Sequence, residues 1–373
     1  MIRCAVTSNG GMAAKYQPLR WRHRPDPCFR AAVRVANIDG IATAGRRCCR
    51  LEDQSLTLGF VTDARNLDGP VGLVGAGYIG HLFAQQFALA GYEVRAWSPG
   101  GSSRTLAERL RQSVSMLAEI GAVEPSTLEE VLARVSAHDD LATALRPCAA
   151  VMESIVEDAE AKSACYRDIE AVISPDALLW SSTSNFPMTR LAADMAHPER
   201  AVVVHPVQTA LIIFVEVVAG EQTSEETVAA TMGFCDDVGL RAVRVRKEIP
   251  GFLWNRVWFA LLREMLHLVD IGAADPLELD SMVQTTLRAF IPVFGPLQMT
   301  DLIGHDTLKD ISNALYPELA ADRTASTTIE QHVKDGLLGV KSGQGFYDDN
   351  DRRVAELSSK LYRIARQLNT DSA

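Results

Sequence analysis

The sequence lacks three features that would each indicate a special class of protein. No apolar run approaches the roughly 18 residues that a membrane-spanning helix needs, since Ala210–Val215 is far too short. A formal net charge of −10 argues against nonspecific nucleic-acid binding, which needs a basic face. The seven cysteines match no zinc-binding spacing, and adjacent Cys48 and Cys49 make a poor structural disulfide. We therefore predict no membrane span, no nucleic-acid partner and no metal site, and we expect a reducing, cytoplasmic setting.

The overall composition is that of an ordinary globular protein, but the charge of the first 60 residues is unusual. At 373 residues, 47% of them hydrophobic, the chain can fill two domains. Residues 1–60 nevertheless hold ten Lys or Arg against four Asp or Glu, although the whole chain is acidic. Residues 1–69 have three interpretations: an organellar transit peptide, a basic arm that binds a partner, or a poorly ordered extension. The last is favoured, because serine is scarce and no long amphipathic stretch is present.

A glycine motif follows this segment. The sequence from Val71 reads VGLVGAGYIG, a short apolar strand that leads into G-x-G-x-x-G, a helical stretch and a second strand ending at Trp97. The pattern is weak alone but strong between a strand and a helix. Gly75 permits the tight turn, Gly77 lets the backbone approach a pyrophosphate, and Gly80 lets helix and strand pack closely. The predicted dinucleotide-binding residues of the motif are Gly75, Ala76, Gly77, Tyr78, Ile79 and Gly80.

The residue that ends the second strand usually selects the cofactor. An acid there binds the ribose of NAD and repels the 2′-phosphate of NADP. Here Ser98 follows Trp97, and Arg104 comes shortly afterwards. Ser98 removes the repulsion and Arg104 could bind a phosphate, although it could equally be a solvated residue that opens the next helix. We predict NAD as the cofactor, with Ser98 in its site, and leave NADP open.

Strands and helices continue to alternate up to about Arg246, and the pattern then becomes helical. This order predicts an α/β protein, a Rossmann-type doubly wound sheet followed by a smaller all-helical domain. In the helical part, Trp254, Trp258, Phe259 and Met265 are spaced as core residues. The predicted divisions are a basic extension at 1–69, a dinucleotide-binding domain at 70–248, a helical substrate and dimerisation domain at 249–347, and a C-terminal helix and tail at 348–373.

Several further motifs occur in a fixed order along the chain. They are Glu153-Ser154-Ile155-Val156-Glu157 with Lys162, Ser181-Ser182-Thr183-Ser184-Asn185, His205-Pro206, Val215-Glu216-Val217, Pro250-Gly251-Phe252-Leu253-Trp254-Asn255-Arg256, Gly295-Pro296, Asp301-Leu302-Ile303-Gly304 and Gly339-Val340-Lys341-Ser342-Gly343-Gln344-Gly345-Phe346-Tyr347. Together with the glycine motif they resemble the 3-hydroxyacyl-CoA dehydrogenase family, including its lambda-crystallin/L-gulonate dehydrogenase branch. The resemblance runs from about Val71 to Tyr347.

The resemblance implies a set of catalytic residues, and their side-chain types suit the oxidation of an alcohol. An alcohol does not release hydride easily unless its proton also leaves, so a base must contact the hydroxyl. By resemblance His205 is that base, and Glu216 holds its imidazole in the correct tautomer. Ser184 and Asn255 are implied to hydrogen-bond the reacting oxygen. Each has a structural alternative: the histidine could be a core residue, and Ser184 or Asn255 a helix cap.

The resemblance also places residues at the cofactor. Glu157 and Lys162 are implied to line the nicotinamide-ribose end, and Ser184 is included in the cofactor-binding set. The function implied is hydride transfer between NAD and the 3-hydroxyl of a 3-hydroxyacyl-CoA or related 3-hydroxy acid, as in fatty acid metabolism. Two alternatives remain: a dehydrogenase of a free hydroxy acid, such as a sugar acid or carnitine, and a catalytically weak cofactor-binding protein.

The chain departs from the family pattern between the histidine and the glutamate. The family's Asn-Pro-Pro turn is replaced by Gln208-Thr209-Ala210, and the segment is one residue shorter. A one-residue shift in a strand reverses the face to which a side chain points. We expect the loop to absorb the deletion and the His205–Glu216 pair to survive. The wide apolar faces of the helical domain further predict a homodimer formed through it.

Overall fold

The computed structural model describes residues 67–119, 121–207 and 214–348. Nearly all of the predicted basic extension and of the C-terminal helix and tail lies outside the described residues. The altered turn at Gln208-Thr209-Ala210 lies outside them as well.

A single eight-stranded sheet organises the first part of the described chain, in the order β3-β2-β1-β4-β5-β6-β7-β8. Its strands are β1 (Val71–Val74), β2 (Val94–Trp97), β3 (Val135–Ala137), β4 (Ala150–Glu153), β5 (Leu178–Ser181), β6 (Ala201–Val207), β7 (Phe214–Ala219) and β8 (Arg241–Val245). All neighbouring pairs are parallel except β6 with β7, which is antiparallel. The chain order reverses between β1 and β4, where open α/β sheets bind ligands beyond the carboxyl ends of their strands.

Helices cover both faces of this sheet. They are α1 (Tyr78–Leu89), α2 (Leu106–Glu119), α3 (Thr127–Arg134), α4 (Leu141–Leu145), α5 (Ala159–Glu170), α6 (Met188–Leu191) and α7 (Glu225–Asp237). Successive strand residues point to opposite faces, so Trp180 joins one core cluster with Phe87 and Phe234, while Leu179 joins a second with Tyr166. The near-continuous apolar strands of the sequence are thus buried on both sides, and the predicted doubly wound fold is confirmed.

The helices that follow β8 do not form a closed core of their own. They are α8 (Trp254–Asp270), α9 (Pro276–Phe290), α10 (Pro296–Ile303), α11 (His305–Leu315) and α12 (Thr327–Lys334). Among the described residues from 253 onward, Leu279 is the only buried hydrophobic side chain, and 24 of the 28 exposed large hydrophobic residues lie there. No helix within the described ranges is long and apolar enough to cross a membrane.

The prediction that Trp254, Trp258 and Phe259 form core is wrong for this chain by itself. Their exposed fractions are 43%, 41% and 63%. Helical spacing identified an apolar face correctly, but periodicity does not show whether another element covers that face. No other element of the described chain covers this face of α8.

Candidate active site

The turn from β1 into α1 contains three glycines, Gly75 and Gly77 before the helix and Gly80 in its first turn, and the structure gives a physical reason for each. Gly75 has a positive φ of +92°, and a Cβ there would lie 2.5 Å from the Ser154 carbonyl oxygen. A Cβ on Gly80 would overlap the Gly75 carbonyl oxygen, so only glycine lets α1 start this close to β1. A Cβ on Gly77 would meet nothing within 4 Å. Gly77 therefore leaves space open, and the other two glycines allow close packing.

The first turn of α1 suits a diphosphate. Its N-cap, Gly77, offers no side-chain hydrogen bond, and the first turn contains no acidic residue. The N-terminal backbone N–H groups of the helix carry the positive end of the helix dipole. Tyr78 and Ile79 line the adjoining cleft, whereas Ala76 is buried and donates its N–H to Ser102 Oγ at 3.2 Å. The loop fits the pyrophosphate of a dinucleotide.

At the end of β2, neither an acidic side chain nor an unpaired basic side chain of the described residues faces the cleft. Ser98 is buried, and its Oγ accepts the Ser103 N–H at 2.7 Å. Arg104 lies on the exposed side and forms an ion pair with Asp139 at 3.1 Å. Among the described lining residues of the cleft there is no lysine or arginine.

His205 and Glu216 are brought together by strand pairing. They are direct partners in the antiparallel register of β6 and β7, and Nδ1 of His205 lies 2.7 Å from Oε2 of Glu216. An ionised carboxylate only accepts hydrogen bonds, so Nδ1 carries a proton, and in the neutral ring Nε2 is the nitrogen with the lone pair. Nε2 has no hydrogen-bond partner among the described residues, and His205 lines the cleft.

Glu216 also holds the start of α8, which sequence reasoning missed. Its Oε1 accepts the backbone N–H groups of Leu253 and Trp254, both at 2.8 Å. Burial is the largest single influence on the Glu216 pKa and raises it. Hydrogen bonds from His205 and from these two N–H groups outweigh it, so the pKa lies below its ordinary value. One carboxylate therefore orients the histidine and fixes the helix that carries Asn255.

Phe252 packs against His205 next to the His205–Glu216 pair. It is fully buried, with its ring centroid 5.4 Å from that of His205, and it is the only described non-glycine residue with a positive φ, +48°. This uncommon conformation lies at the turn between the sheet and α8. No local signal beyond the Pro250-Gly251-Phe252 motif could have indicated it.

Ser184 and Asn255 lie next to each other at the same cleft. Asn255 Nδ2 donates to the Ser184 carbonyl oxygen at 3.3 Å, which joins α8 to the loop after β5. Glu157 holds that loop from the other side, because its Oε1 accepts from Thr183 Oγ1 at 2.7 Å and from the Ser184 N–H at 3.1 Å. Ser184 is exposed and Asn255 is half-buried, and both residues line the cleft.

Lys162 does not line the cleft. Its side chain is 1% exposed, and its Nζ lies 2.8 Å from Glu153 Oε1 and 3.3 Å from Glu157 Oε2. It therefore lies behind Glu157, which itself lines the cleft. The role of Glu153 as partner of Lys162 was missed from the sequence, although a carboxylate that ends an apolar strand indicates a buried partner.

These residues enclose a cavity of about 750 Å³, within the range of small-molecule sites. It brings the glycine loop, Glu157, Ser184, His205 and Asn255 to one place. Trp254 and Trp258 form part of its wall, with parallel rings 6.1 Å apart. A phosphate-binding turn and a histidine–carboxylate pair at one cleft are what an enzyme that moves hydride and a proton together needs.

Comparison with known proteins agrees with this geometry. The sequence model of the 3-hydroxyacyl-CoA dehydrogenase NAD binding domain matches residues 70–249, and that of the C-terminal domain of the same family matches residues 251–349. A probable 3-hydroxybutyryl-CoA dehydrogenase of Bacillus subtilis is 32% identical over 284 residues, which cover 75% of this chain and 97% of that protein. An L-carnitine dehydrogenase of Streptomyces coelicolor is 33% identical over 306 residues, covering 79% and 95%.

A solved structure is similar in fold as well. The crystal structure of 5-formyl-3-hydroxy-2-methylpyridine 4-carboxylic acid 5-dehydrogenase, described as an NAD⁺-dependent dismutase, superposes with a TM-score of 0.72 at 31% identity. The match covers 80% of this chain and 98% of that one. The chain therefore belongs to the 3-hydroxyacyl-CoA dehydrogenase family and is an NAD-dependent oxidoreductase, as its motifs predict.

Proposed function

We propose that this protein interconverts a 3-hydroxyacyl-CoA, or a related 3-hydroxy acid, and the corresponding ketone. The observation that carries the proposal is the His205–Glu216 pair, which opens on the same cleft as the glycine loop. A base and a dinucleotide turn at one cavity are the two requirements of alcohol oxidation.

Four side chains have separate roles in the proposed oxidation of the alcohol. His205 takes the hydroxyl proton on Nε2, and Glu216 stabilises the imidazolium that forms, 2.7 Å away. Ser184 and Asn255 hydrogen-bond the reacting oxygen and keep it close to the histidine. When bound, NAD supplies the hydride acceptor. In the reverse direction the imidazolium returns the proton to the oxygen.

A second groove supports a substrate with an anionic tail. A cavity of about 990 Å³ shares Ser184 and Asn255 with the cleft and extends along α8. Arg256, Arg263 and Arg323 line it together with Asp270 and Asp322, and the three arginines form no ion pair within the described part of the chain. Basic groups beside the reacting centre favour an acyl thioester of CoA, because its phosphates need cations. A small free acid would not reach along such a groove.

A free hydroxy acid is the second candidate substrate. One relative is an L-carnitine dehydrogenase and the similar solved structure acts on a pyridine carboxylic acid. A carboxylate on a small substrate could use Arg256 alone. A catalytically weak cofactor-binding protein is the third candidate, and the replaced turn at Gln208-Thr209-Ala210 motivates it.

One assay separates these candidates. Purified protein is given acetoacetyl-CoA with NADH or NADPH, and nicotinamide absorbance is followed. In parallel it is given carnitine or 3-hydroxybutyrate with NAD⁺. Arg263→Gln should raise KM for the CoA thioester and leave KM for the free acids unchanged. Cofactor binding without turnover of any substrate would overturn the enzymatic proposal. We expect NADH to be preferred, since Arg104 is paired with Asp139.

We further propose that the protein is a cytoplasmic homodimer in fatty acid or hydroxy-acid metabolism, with a dinucleotide-binding domain at 70–248 and a helical domain at 249–347. The exposed apolar residues of α9 to α11 support the dimer, because patches of this extent mark association surfaces. Cys148, Cys165 and Cys235 are free thiols, which supports a reducing compartment.

A further inference from the structure

Glu153 is a buried carboxylate that the proposed reaction does not use. It ends β4, directly before the cleft-lining segment 154–157, and its side chain is 0% exposed. Four donors surround it: Lys162 Nζ at 2.8 Å and the Ile155 N–H at 2.7 Å on Oε1, and Tyr166 OH at 2.9 Å and Ser181 Oγ at 2.8 Å on Oε2. The buried carboxylate is thus fully paired, as buried polar groups generally are.

Two of these donors fix the role of Oε1. The Lys162 ammonium and the Ile155 N–H can only donate, so Oε1 of Glu153 accepts both bonds and pairs directly with the lysine. Burial, the largest influence, and the negative charge of Glu153 raise the pKa of Tyr166 well above its ordinary value. The tyrosine thus keeps its proton and remains a donor to Glu153.

Lys162 lies between two carboxylates of unequal exposure. Glu153 is buried, and Glu157, 3.3 Å from Nζ, is 39% exposed and lines the cleft. One lysine cannot neutralise both acids, so the group of three carries a net charge of −1. Because Glu153 makes the shorter contact to Nζ, at 2.8 Å, Lys162 compensates Glu153 more strongly than it compensates Glu157.

We propose that Glu153 is a positioning residue that sets the charge of the cleft by pairing with Lys162, so that Glu157 faces the cofactor as an anion that the shared lysine compensates only in part. The nicotinamide ring is cationic when oxidised and neutral when reduced. The anion therefore strengthens binding of NAD⁺ relative to NADH. This inference rests on the proposed function, since it requires the nicotinamide end to lie at Glu157 and His205.

The test is the ratio of two dissociation constants, Kd for NADH divided by Kd for NAD⁺, measured without substrate. Glu153→Gln keeps the shape of the side chain and removes the charge, so the ratio should fall about tenfold. A unit charge at roughly 10 Å has an effect of this size at an effective dielectric constant of about 20. Tyr166→Phe removes a hydrogen bond to Glu153 but no charge, and it should leave the ratio unchanged.

Glu170→Gln is the control for loss of a carboxylate elsewhere. Glu170 pairs with the buried Arg200 at 3.1 Å, outside the cleft, and its loss should not change the ratio. If Glu153→Gln weakens both cofactors equally, Glu153 has only a structural role and the inference is wrong. If that variant does not fold, Glu157→Gln must lower the ratio, and an unchanged ratio there overturns the inference. Failure of the wild-type protein to bind either cofactor would instead contradict the proposed function.

Discussion

His205 and Glu216 face each other directly across the antiparallel pair β6 and β7, with 2.7 Å between Nδ1 and Oε2. Direct partners in an antiparallel ladder point to the same face, so this register alone keeps the two side chains together. The shortened connection between the strands therefore does not break the pair. The carboxylate has a second role, because its other oxygen holds the first N–H groups of α8.

Replacing the histidine tests its role as the base. His205→Ala should lower kcat by about 10²- to 10⁴-fold, the usual contribution of a general acid–base group, while cofactor affinity stays close to wild type. Steady-state kinetics and nicotinamide fluorescence measure the two quantities. His305→Ala is the matched control, since His305 is exposed and forms an ion pair with Asp301 on the surface. A wild-type rate in His205→Ala would show that the role assigned to His205 is wrong.

Glu216→Gln should impair catalysis although the side chain keeps its shape. The carboxylate accepts from three donors on two oxygens, whereas an amide offers one acceptor oxygen and an N–H₂ that opposes a donor. Either His205 or the start of α8 loses its partner. We expect kcat to fall at least about 10²-fold together with a lower melting temperature. A variant that loses only stability would limit Glu216 to a structural role.

The same residue should make stability depend on pH. Burial most strongly raises the Glu216 pKa, but its hydrogen bonds hold it below the ordinary value of 4.5. The unfolded chain therefore binds this proton more readily, so the stabilisation is complete above about pH 4.5 and is lost as the pH falls through the native pKa. Melting curves between pH 7 and 3 should decline less steeply in Glu216→Gln than in wild type. Equal slopes would contradict this prediction.

Two glycine substitutions should separate binding from folding. A Cβ at Gly77 meets nothing within 4 Å, so Gly77→Ala should keep the wild-type melting temperature but bind NAD weakly, because the methyl group fills the space for the pyrophosphate. A Cβ at Gly80 overlaps the Gly75 carbonyl, and Gly80→Ala should lose about 1–3 kcal/mol of stability. Thermal melts and NAD titrations check both. Normal NAD binding by a folded Gly77→Ala variant would argue against the proposed cofactor position.

The exposed helical surface should control the oligomeric state. The mass in solution should be twice 40.7 kDa, and Phe290→Glu with Ile291→Glu should shift it toward a single chain, because charge on a buried interface is costly. Light scattering after gel filtration measures this. Met116→Glu, at an exposed apolar residue of α2, is the control that should leave the mass unchanged. A wild-type protein of single-chain mass would exclude the dimer.

Removing the basic extension should not affect the enzyme. A chain that begins at Leu67, which packs against the sheet core, should keep NAD affinity and turnover within about twofold of the full chain. The family match begins at residue 70. Loss of folding in this variant would show that the extension belongs to the working protein.

The class of fold and the cofactor could be predicted because their signals are local. Gly75, Gly77 and Gly80 are needed by the backbone of one turn, and the apolar strands around them are short and continuous. The core prediction for Trp254 and Trp258 failed for the opposite reason. The exposure of these two side chains depends on which element packs over α8, and the residues next to them in the sequence do not indicate that.

Local sequence was enough to predict the strand–turn–helix that suits a diphosphate, the order of the strands along the chain and the residue types available for proton transfer. Which of these residues meet depends on the tertiary structure. The register of β6 and β7 places His205 opposite Glu216. Lys162 is buried between Glu153 and Glu157 and therefore does not line the cleft. Strand register and burial arise from long-range packing, so residues far apart in sequence acquire their partners only when the sheet has formed.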